Sequence, residues 1–167
     1  MRTYLRSLVA LAVGLLPVVA IAASGTNAQT SVQRQLAAVR QATAKYHDVN
    51  AAIRDGYLPT EHCIVEPGLG GMGYHYLNPR LASDLALDPL QPELLLYAPS
   101  GNGLRLVAVE YFVADLGQDH PVLFGRPFDG PMAGHEPGMP THYDLHAWIW
   151  QANPDGVLTA WNPTVHC

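Results

Sequence analysis

Residues 93–114 read ELLLYAPSGNGLRLVAVEYFVA, two apolar segments separated by a short polar run. Leucine, valine and aromatic residues in runs of this length favour β-strands, and proline, serine, asparagine and glycine between such runs favour a turn. We therefore predict a hairpin of strands 93–98 and 104–114, joined by a loop at residues 99–103.

A second hairpin is predicted nearer the C-terminus. Residues 145–151 and 157–161 are largely apolar, and the sequence ANPDG at 152–156 between them consists mostly of turn formers. Two such hairpins after residue 92 indicate a sheet whose strands are mainly antiparallel.

Upstream of these strands the hydrophobic pattern is that of a helix. Apolar residues of segment 31–56 recur every three or four positions, Thr30 and Ser31 precede them as N-cap candidates, and Gly56 stands at a C-cap position. The pattern predicts one helix, or two shorter ones broken near His47. The fold class is therefore α+β, with an N-terminal helix or helix pair packed on a curved, mainly antiparallel sheet.

Two segments are too rich in proline and glycine to predict regular structure. Residues 57–79 and residues 117–141 are expected to be irregular. A long irregular segment inside a compact domain is usually a functional loop, so the second of these is a candidate location for a site.

The first 28 residues have the features of a secretory signal peptide. Arg2 and Arg6 precede an apolar run at residues 8–23, and the small-x-small sequence at 20–22 suits a signal peptidase. The run is short for a membrane span and has no basic flank after it. We predict cleavage near residues 22–28, a single globular domain at residues 29–167, and a secreted or periplasmic protein without stable membrane insertion.

The charge balance argues against nucleic acid as a partner. Loss of Arg2 and Arg6 with the signal peptide leaves 7 basic and 14 acidic residues, a net charge of −7. The remaining basic residues are scattered singly, whereas binding to phosphates requires a basic stripe.

The chain has two cysteines, Cys63 and Cys167. In an exported protein two such thiols most simply form one disulfide. The alternative is a cysteine that binds metal or acts as a nucleophile, but neither cysteine belongs to a Cys-x-x-Cys pair.

Histidines and carboxylates concentrate in the sequence HEPGMPTHYDLH. It contains five candidate metal ligands: His135, Glu136, His142, Asp144 and His146. Imidazole and carboxylate groups are ligands of zinc, copper and iron. The prolines exclude a long helix, and with it the helical His-Glu-x-x-His arrangement of zinc proteases. In a strand Asp144 and His146 share a face, whereas the Cα atoms of His142 and His146 lie about 13 Å apart.

A sixth candidate ligand is His75, in the glycine-rich sequence GGMGYHY at 70–76. Glycines allow turns and close approach of the backbone. The same run matches G-x-G-x-x-G, but no strand is predicted before it and no helix after it, so a dinucleotide site is not expected.

Glu110 is a carboxylate inside the apolar sequence LVAVEYFV. Burial of a carboxylate is costly unless it is paired, protonated or bound to a metal. Glu110 lies on a solvated face of its strand, or it is buried and acts as a general acid/base or as an acceptor for a ligand histidine.

These residues predict an exported metal-binding protein. The more specific prediction is a mononuclear His/carboxylate metalloenzyme. The cofactor is a divalent transition metal, for which zinc or copper fits better than iron. The alternative is a non-catalytic domain whose aromatic and histidine residues line a pocket for an unknown small molecule or partner. In a third interpretation these side chains only hold the irregular loops in place.

The sequences GMGYHYLNP at 71–79 and HEPGMPTHYDLHAW at 135–148 carry a resemblance. Together with shorter matches between residues 46 and 167, they resemble a family of small exported bacterial proteins of unknown function. The resemblance implies export and a single domain. It assigns no catalytic residue, because the family has no established activity.

Overall fold

The computed structural model describes residues 20–135 and 138–167, and it confirms the α+β class. Six strands form one antiparallel sheet in the order β1-β2-β3-β4-β8-β7, and β5 and β6 form a separate pair. The main-sheet strands are Leu58–Glu66 (β1), Gly70–Leu77 (β2), Leu94–Ser100 (β3), Gly103–Ala114 (β4), Asp129–Met132 (β7) and His142–Ala147 (β8).

The hairpin predicted at residues 93–114 is present as β3 and β4. The strands pair from Leu94 opposite Glu110 to Ser100 opposite Gly103. The turn is therefore shorter than the predicted five-residue loop, because Pro99 and Ser100 belong to β3. Strand β4 pairs with β8 on its other side, so it occupies the interior of the sheet.

The predicted second hairpin is wrong. Strand β8 ends at Ala147, and residues 157–161 form no strand. The place beside β8 is taken by β7, whose Asp129 and Met132 lie opposite Asp144 and His142. The segment after β8 makes isolated contacts instead, such as the Trp148 N–H to the Val157 carbonyl at 2.8 Å.

The expectation that residues 57–79 are irregular is also wrong, because they form the hairpin β1–β2. Two glycines of β2 allow the backbones of neighbouring segments to approach it closely. Gly70 and Gly73 have φ values of 104° and 94°. A Cβ atom would lie 2.2 Å from the Asn162 carbonyl oxygen at Gly70 and 2.4 Å from the Tyr97 carbonyl oxygen at Gly73. These glycines permit close backbone approach within a sheet rather than ending a strand.

The segment at residues 117–141 is only partly irregular. It contains β5 (Val122–Leu123), β6 (Arg126–Pro127) and β7. The prolines and glycines of this segment are compatible with its strands, because β5 and β6 are very short and β7 is an edge strand.

The helical region is broken where the sequence predicts. Helix α1 (Ala20–Thr43) continues into a 3-10 turn (Ala44–His47), and α2 (Val49–Arg54) follows. The Asp48 side chain caps α2 by accepting from the Asn50 N–H at 3.0 Å. The N-cap assignment of Thr30 and Ser31 is wrong, because both lie inside α1.

The two faces of the sheet bury different cores. The first core joins Leu36, Val39 and Tyr46 of the helical region to residues such as Tyr97 and Leu145 of the sheet. The second core, on the other face, contains Leu94, Leu96, Ala108, Phe112, Trp148 and Val165. Since strand residues alternate between faces, the sheet separates the two cores.

Cys63 of β1 and Cys167 form the expected disulfide, with their Cα atoms 5.8 Å apart. The bridge joins residues 104 positions apart. In the chain-entropy model, closing a loop of this length stabilises the fold by about 4–5 kcal/mol. The bridge holds the last residue against an edge strand, close to Val165 of the second core.

Of the helices in the described part of the chain, none has the length and hydropathy needed to cross a membrane. Residues 1–19 of the predicted signal peptide lie outside the described residues.

We expect Gly73→Ala to lower the free energy of unfolding by about 2–4 kcal/mol, because alanine at this φ is strained and its Cβ meets the β3 backbone. Urea unfolding of the variant measures the loss. Gly103→Ala is the control, since Gly103 has an ordinary φ and open space around it. Equal stability of the two variants would contradict the close packing of β2 on β3.

Candidate metal centre

Strand β8 presents three polar side chains to the face that carries the second core. His142, Asp144 and His146 alternate with Tyr143 and Leu145, which belong to the first core. All three polar residues are buried, with 0%, 3% and 1% of their surface exposed. The alternation of the strand therefore directs the polar half of β8 away from the helices.

The register between β4 and β8 places Glu110 directly opposite His146. Glu110 is 5% exposed, so the solvated-face interpretation is wrong. Its Oε2 atom lies 3.6 Å from His146 Nε2. A carboxylate in an apolar central strand is thus matched by an imidazole from the neighbouring strand.

His75 reaches the same carboxylate from β2, across the intervening strand β3. It lies opposite Leu96 of β3, while Glu110 lies opposite Leu94. His75 Nε2 is 3.1 Å from Glu110 Oε2. Two imidazoles from strands distant in sequence therefore converge on a single carboxylate oxygen.

The three side chains have the spacing of a metal ligand set. One ligand atom from each of His75, Glu110 and His146 lies within 4.8 Å of the other two. In a tetrahedral zinc site with ligand distances near 2.1 Å, neighbouring ligand atoms are about 3.4 Å apart. The observed nitrogen–oxygen distances, 3.1 and 3.6 Å, lie on either side of this value.

Several buried polar atoms of this region have no hydrogen-bond partner among the described residues. They include both ring nitrogens of His146, Asp144 Oδ1 and His142 Nε2. Buried polar atoms are normally paired, and leaving one unpaired costs free energy. Their concentration at one place indicates a site that binds something.

The charge states favour metal ligation. Burial alone would raise the pKa of Glu110, but the positive charge that the His146 and His75 imidazoles carry when protonated lowers it below its ordinary value, and a metal ion held by neutral imidazoles would supply positive charge at the same place. Burial also lowers the pKa of His146, which favours its neutral form. An ionised carboxylate and a neutral imidazole are the forms that bind a metal.

Asp144 lies near Nδ1 of His146, the ring nitrogen that does not face Glu110. Its Oδ1 lies 3.7 Å from His146 Nδ1, and its Oδ2 lies 3.9 Å from His142 Nε2. His142 Nδ1 donates to the Pro140 carbonyl at 3.0 Å. Burial, with the nearby Glu110 charge, raises the pKa of Asp144. The Asp144 and His146 atoms are too far apart for a hydrogen bond, but Asp144 occupies the position beside the second nitrogen from which a carboxylate usually orients a ligand histidine.

The structure brings together only part of the set of ligands predicted from the sequence. His75 and His146 belong to the group, and Glu110, predicted as an acid/base or as an acceptor, joins them at ligand distance. Asp144 lies next to His146, outside the group, and His142 lies next to Asp144. His135 is exposed, and its ring contacts that of His142 with centroids 5.3 Å apart. Glu136 lies outside the described residues.

A cavity of about 570 Å³ opens onto this group. His75 and Glu110 form part of its wall, and most of the other wall residues are apolar, including Leu94, Phe112 and Met139. Space of this size next to a possible metal ligand set is what a substrate or other ligand needs.

Sequence reasoning missed a third buried carboxylate, Glu93, besides Glu110 and Asp144. It is 2% exposed, and its Oε2 accepts from the Phe112 N–H at 3.1 Å. Burial raises the pKa of Glu93 to about 8. The sequence feature that could have indicated its burial is its position directly before the apolar run of β3.

Comparison with protein-family models, with curated proteins and with solved structures finds no significant match to this chain. The resemblance to exported bacterial proteins therefore stays a prediction, and the site itself is the basis for the functional argument.

The raised pKa of Glu93 predicts that stability falls as pH rises. The unfolded chain releases this proton near pH 4.5, whereas the folded protein holds it until about pH 8. Between these values the unfolded state binds fewer protons, so the free energy of unfolding falls by up to about 1.4 kcal/mol per pH unit from this group.

Glu93→Gln keeps an acceptor for the Phe112 N–H but cannot ionise. We expect the variant to gain stability relative to the native protein between pH 5 and pH 8, measured by urea unfolding at several pH values. Glu66→Gln, at an exposed carboxylate, is the control. A pH dependence that Glu93→Gln leaves unchanged would show that Glu93 ionises normally.

Proposed function

We propose that this protein binds one divalent transition metal ion through His75, Glu110 and His146. The observation that carries the proposal is the convergence of two imidazole nitrogens on one oxygen of a buried carboxylate, at 3.1 and 3.6 Å. The unpaired ring nitrogens of His146 support it, because a metal ion bound to Glu110 would also give His146 Nε2 a partner.

Zinc is the ion we propose first. Two histidines and one carboxylate are a known ligand set of catalytic zinc, whereas structural zinc sites are closed by four protein ligands. The same set with open positions also suits non-haem iron, and copper accepts imidazole ligands. Metal content decides among them.

Three protein ligands leave a coordination position open, and the adjoining cavity gives that position a route to small molecules. This arrangement supports a mononuclear metalloenzyme in which the ion activates water or a small oxidant. In this proposal Glu110 is a ligand rather than the general acid/base that the sequence suggested.

We further propose that the protein acts outside the cytoplasm. The Cys63–Cys167 disulfide supports this, because disulfides persist in oxidising compartments. Cleavage near residues 22–28 would shorten α1 at its start. It would keep Leu36, Val39 and Thr43, which are buried.

The test is the metal content of untagged protein, exported into an oxidising compartment and measured by elemental mass spectrometry. We expect close to one zinc per chain in the native protein and at least a tenfold loss of zinc affinity in His75→Ala, His146→Ala and Glu110→Gln, each of which removes one ligand. His166→Ala, at an exposed histidine, is the control and should keep its zinc.

Added zinc should also raise the melting temperature of the native protein and of the control, but not of the ligand variants. This second measurement separates a lost ligand from a failure to fold. Native protein that contains no metal and takes up neither zinc, copper nor iron would overturn the proposal. The alternative, a non-catalytic domain with an organic ligand in the cavity, would then be favoured.

We expect Asp144→Asn to weaken zinc binding by about 10- to 100-fold without removing the site, because Asp144 Oδ1, 3.7 Å from His146 Nδ1, would orient that ring once the ion is bound rather than contact the ion. Competition with a zinc chelator measures the affinity, and stoichiometry at saturating zinc should remain one. Asp119→Asn, at an exposed aspartate, is the matched control. Affinity equal to that of the native protein would exclude this orienting role.

A further inference from the structure

The cavity beside the metal group is lined by side chains of two kinds. Among the described lining residues the polar ones are few: Thr60, His75, Glu110 and His135. The apolar wall is formed by residues that include Ile64, Leu77, Ala82, Leu94, Phe112 and Met139. The described part of the wall is therefore apolar except near the proposed metal and at His135 and Thr60.

The size of the cavity fits a small organic molecule. Its volume, about 570 Å³, falls within the range of roughly 300–1,000 Å³ typical of sites that enclose such ligands. Leu94 and Phe112 flank the metal group on β3 and β4, since Leu94 lies opposite Glu110 and Phe112 is two residues beyond it. An apolar body in the cavity would contact these side chains while its other end reaches the ion.

Charge limits what the polar end of such a molecule can be. The ligand set of two neutral imidazoles and Glu110 brings one negative charge, so a divalent ion leaves a single positive charge. None of the described residues that line the cavity is lysine or arginine. A monoanion balances this charge, whereas a phosphate ester or a second carboxylate would enter the cavity without a cationic partner.

We propose that the cavity binds an apolar monocarboxylate, with its carboxylate on the metal ion and its hydrocarbon part against Leu94, Phe112 and Met139. This inference rests on the proposed metal site and names the class of ligand that the site takes. Sugars are disfavoured, because the described wall offers few hydrogen-bonding side chains for several hydroxyl groups.

The test uses the zinc-loaded full chain and three probes of defined chemistry. Calorimetric titration compares 4-phenylbutyrate with acetate, which has the carboxylate but almost no apolar body, and with adipate, which places a second charge in the cavity. We expect 4-phenylbutyrate to bind at least tenfold more tightly than either. Equal affinities for the three probes would overturn the proposal.

A matched pair of variants locates the binding. Ala82 lines the cavity, and Ala86 is an exposed residue four positions along the chain. Ala82→Trp should fill the space and weaken 4-phenylbutyrate binding at least tenfold while zinc stoichiometry stays at one. Ala86→Trp should change neither. Equal binding of the probe by both variants would place it elsewhere and overturn the proposal.

Zinc stoichiometry, measured on the same samples, separates the two proposals. Protein that binds zinc without preferring the apolar probe overturns the ligand class and leaves the metal site standing. Protein that binds no zinc overturns the metal site and this inference with it. Metal-free protein that binds 4-phenylbutyrate as tightly as the zinc form would contradict the placement of the carboxylate on the ion.

Discussion

The pairing of β4 with β3 on one side and β8 on the other is the constraint on which the rest of the structure depends. This pairing makes β4 an interior strand, buries its side chains on both faces and fixes Glu110 opposite His146. Since a shift of one residue would move Glu110 to the face that carries the helices, the register also determines where the polar group lies. The helices contribute to the first core and leave the opposite face to the site.

That opposite face combines two environments that are costly to place together. Leu94, Leu96 and Phe112 form an apolar surface, yet Glu110 and His146 are buried among them. Burial penalises the charged forms of both groups, and their contact with each other, together with the contact of His75 with Glu110, offsets part of the penalty. An arrangement that retains such a group beside an open apolar cavity is more readily explained by a function than by stability, because buried ion pairs are weak sources of stability.

Sequence reasoning succeeded where the signal is local. The apolar runs and β-propensity of β3 and β4, the helical spacing before residue 56 and the break near His47 are each contained in a short window, and the structure confirms them. It failed where a residue type has two roles. The density of proline and glycine in residues 57–79 predicts an irregular segment, but Gly70 and Gly73 lie in β2 and permit close approach to Asn162 and Tyr97. The nature of those neighbours is not visible within the segment itself.

The sequence by itself determined the fold class, the only cysteine pair available and the concentration of candidate ligands around His142 and His146, because composition, periodicity and spacing are properties of the chain. Only the tertiary structure decided that β7, rather than residues 157–161, lies beside β8, and that His75 meets His146 at Glu110. Such contacts depend on which strands pair and in which register. Strand pairing is settled by the packing of the whole sheet, and no short segment encodes it.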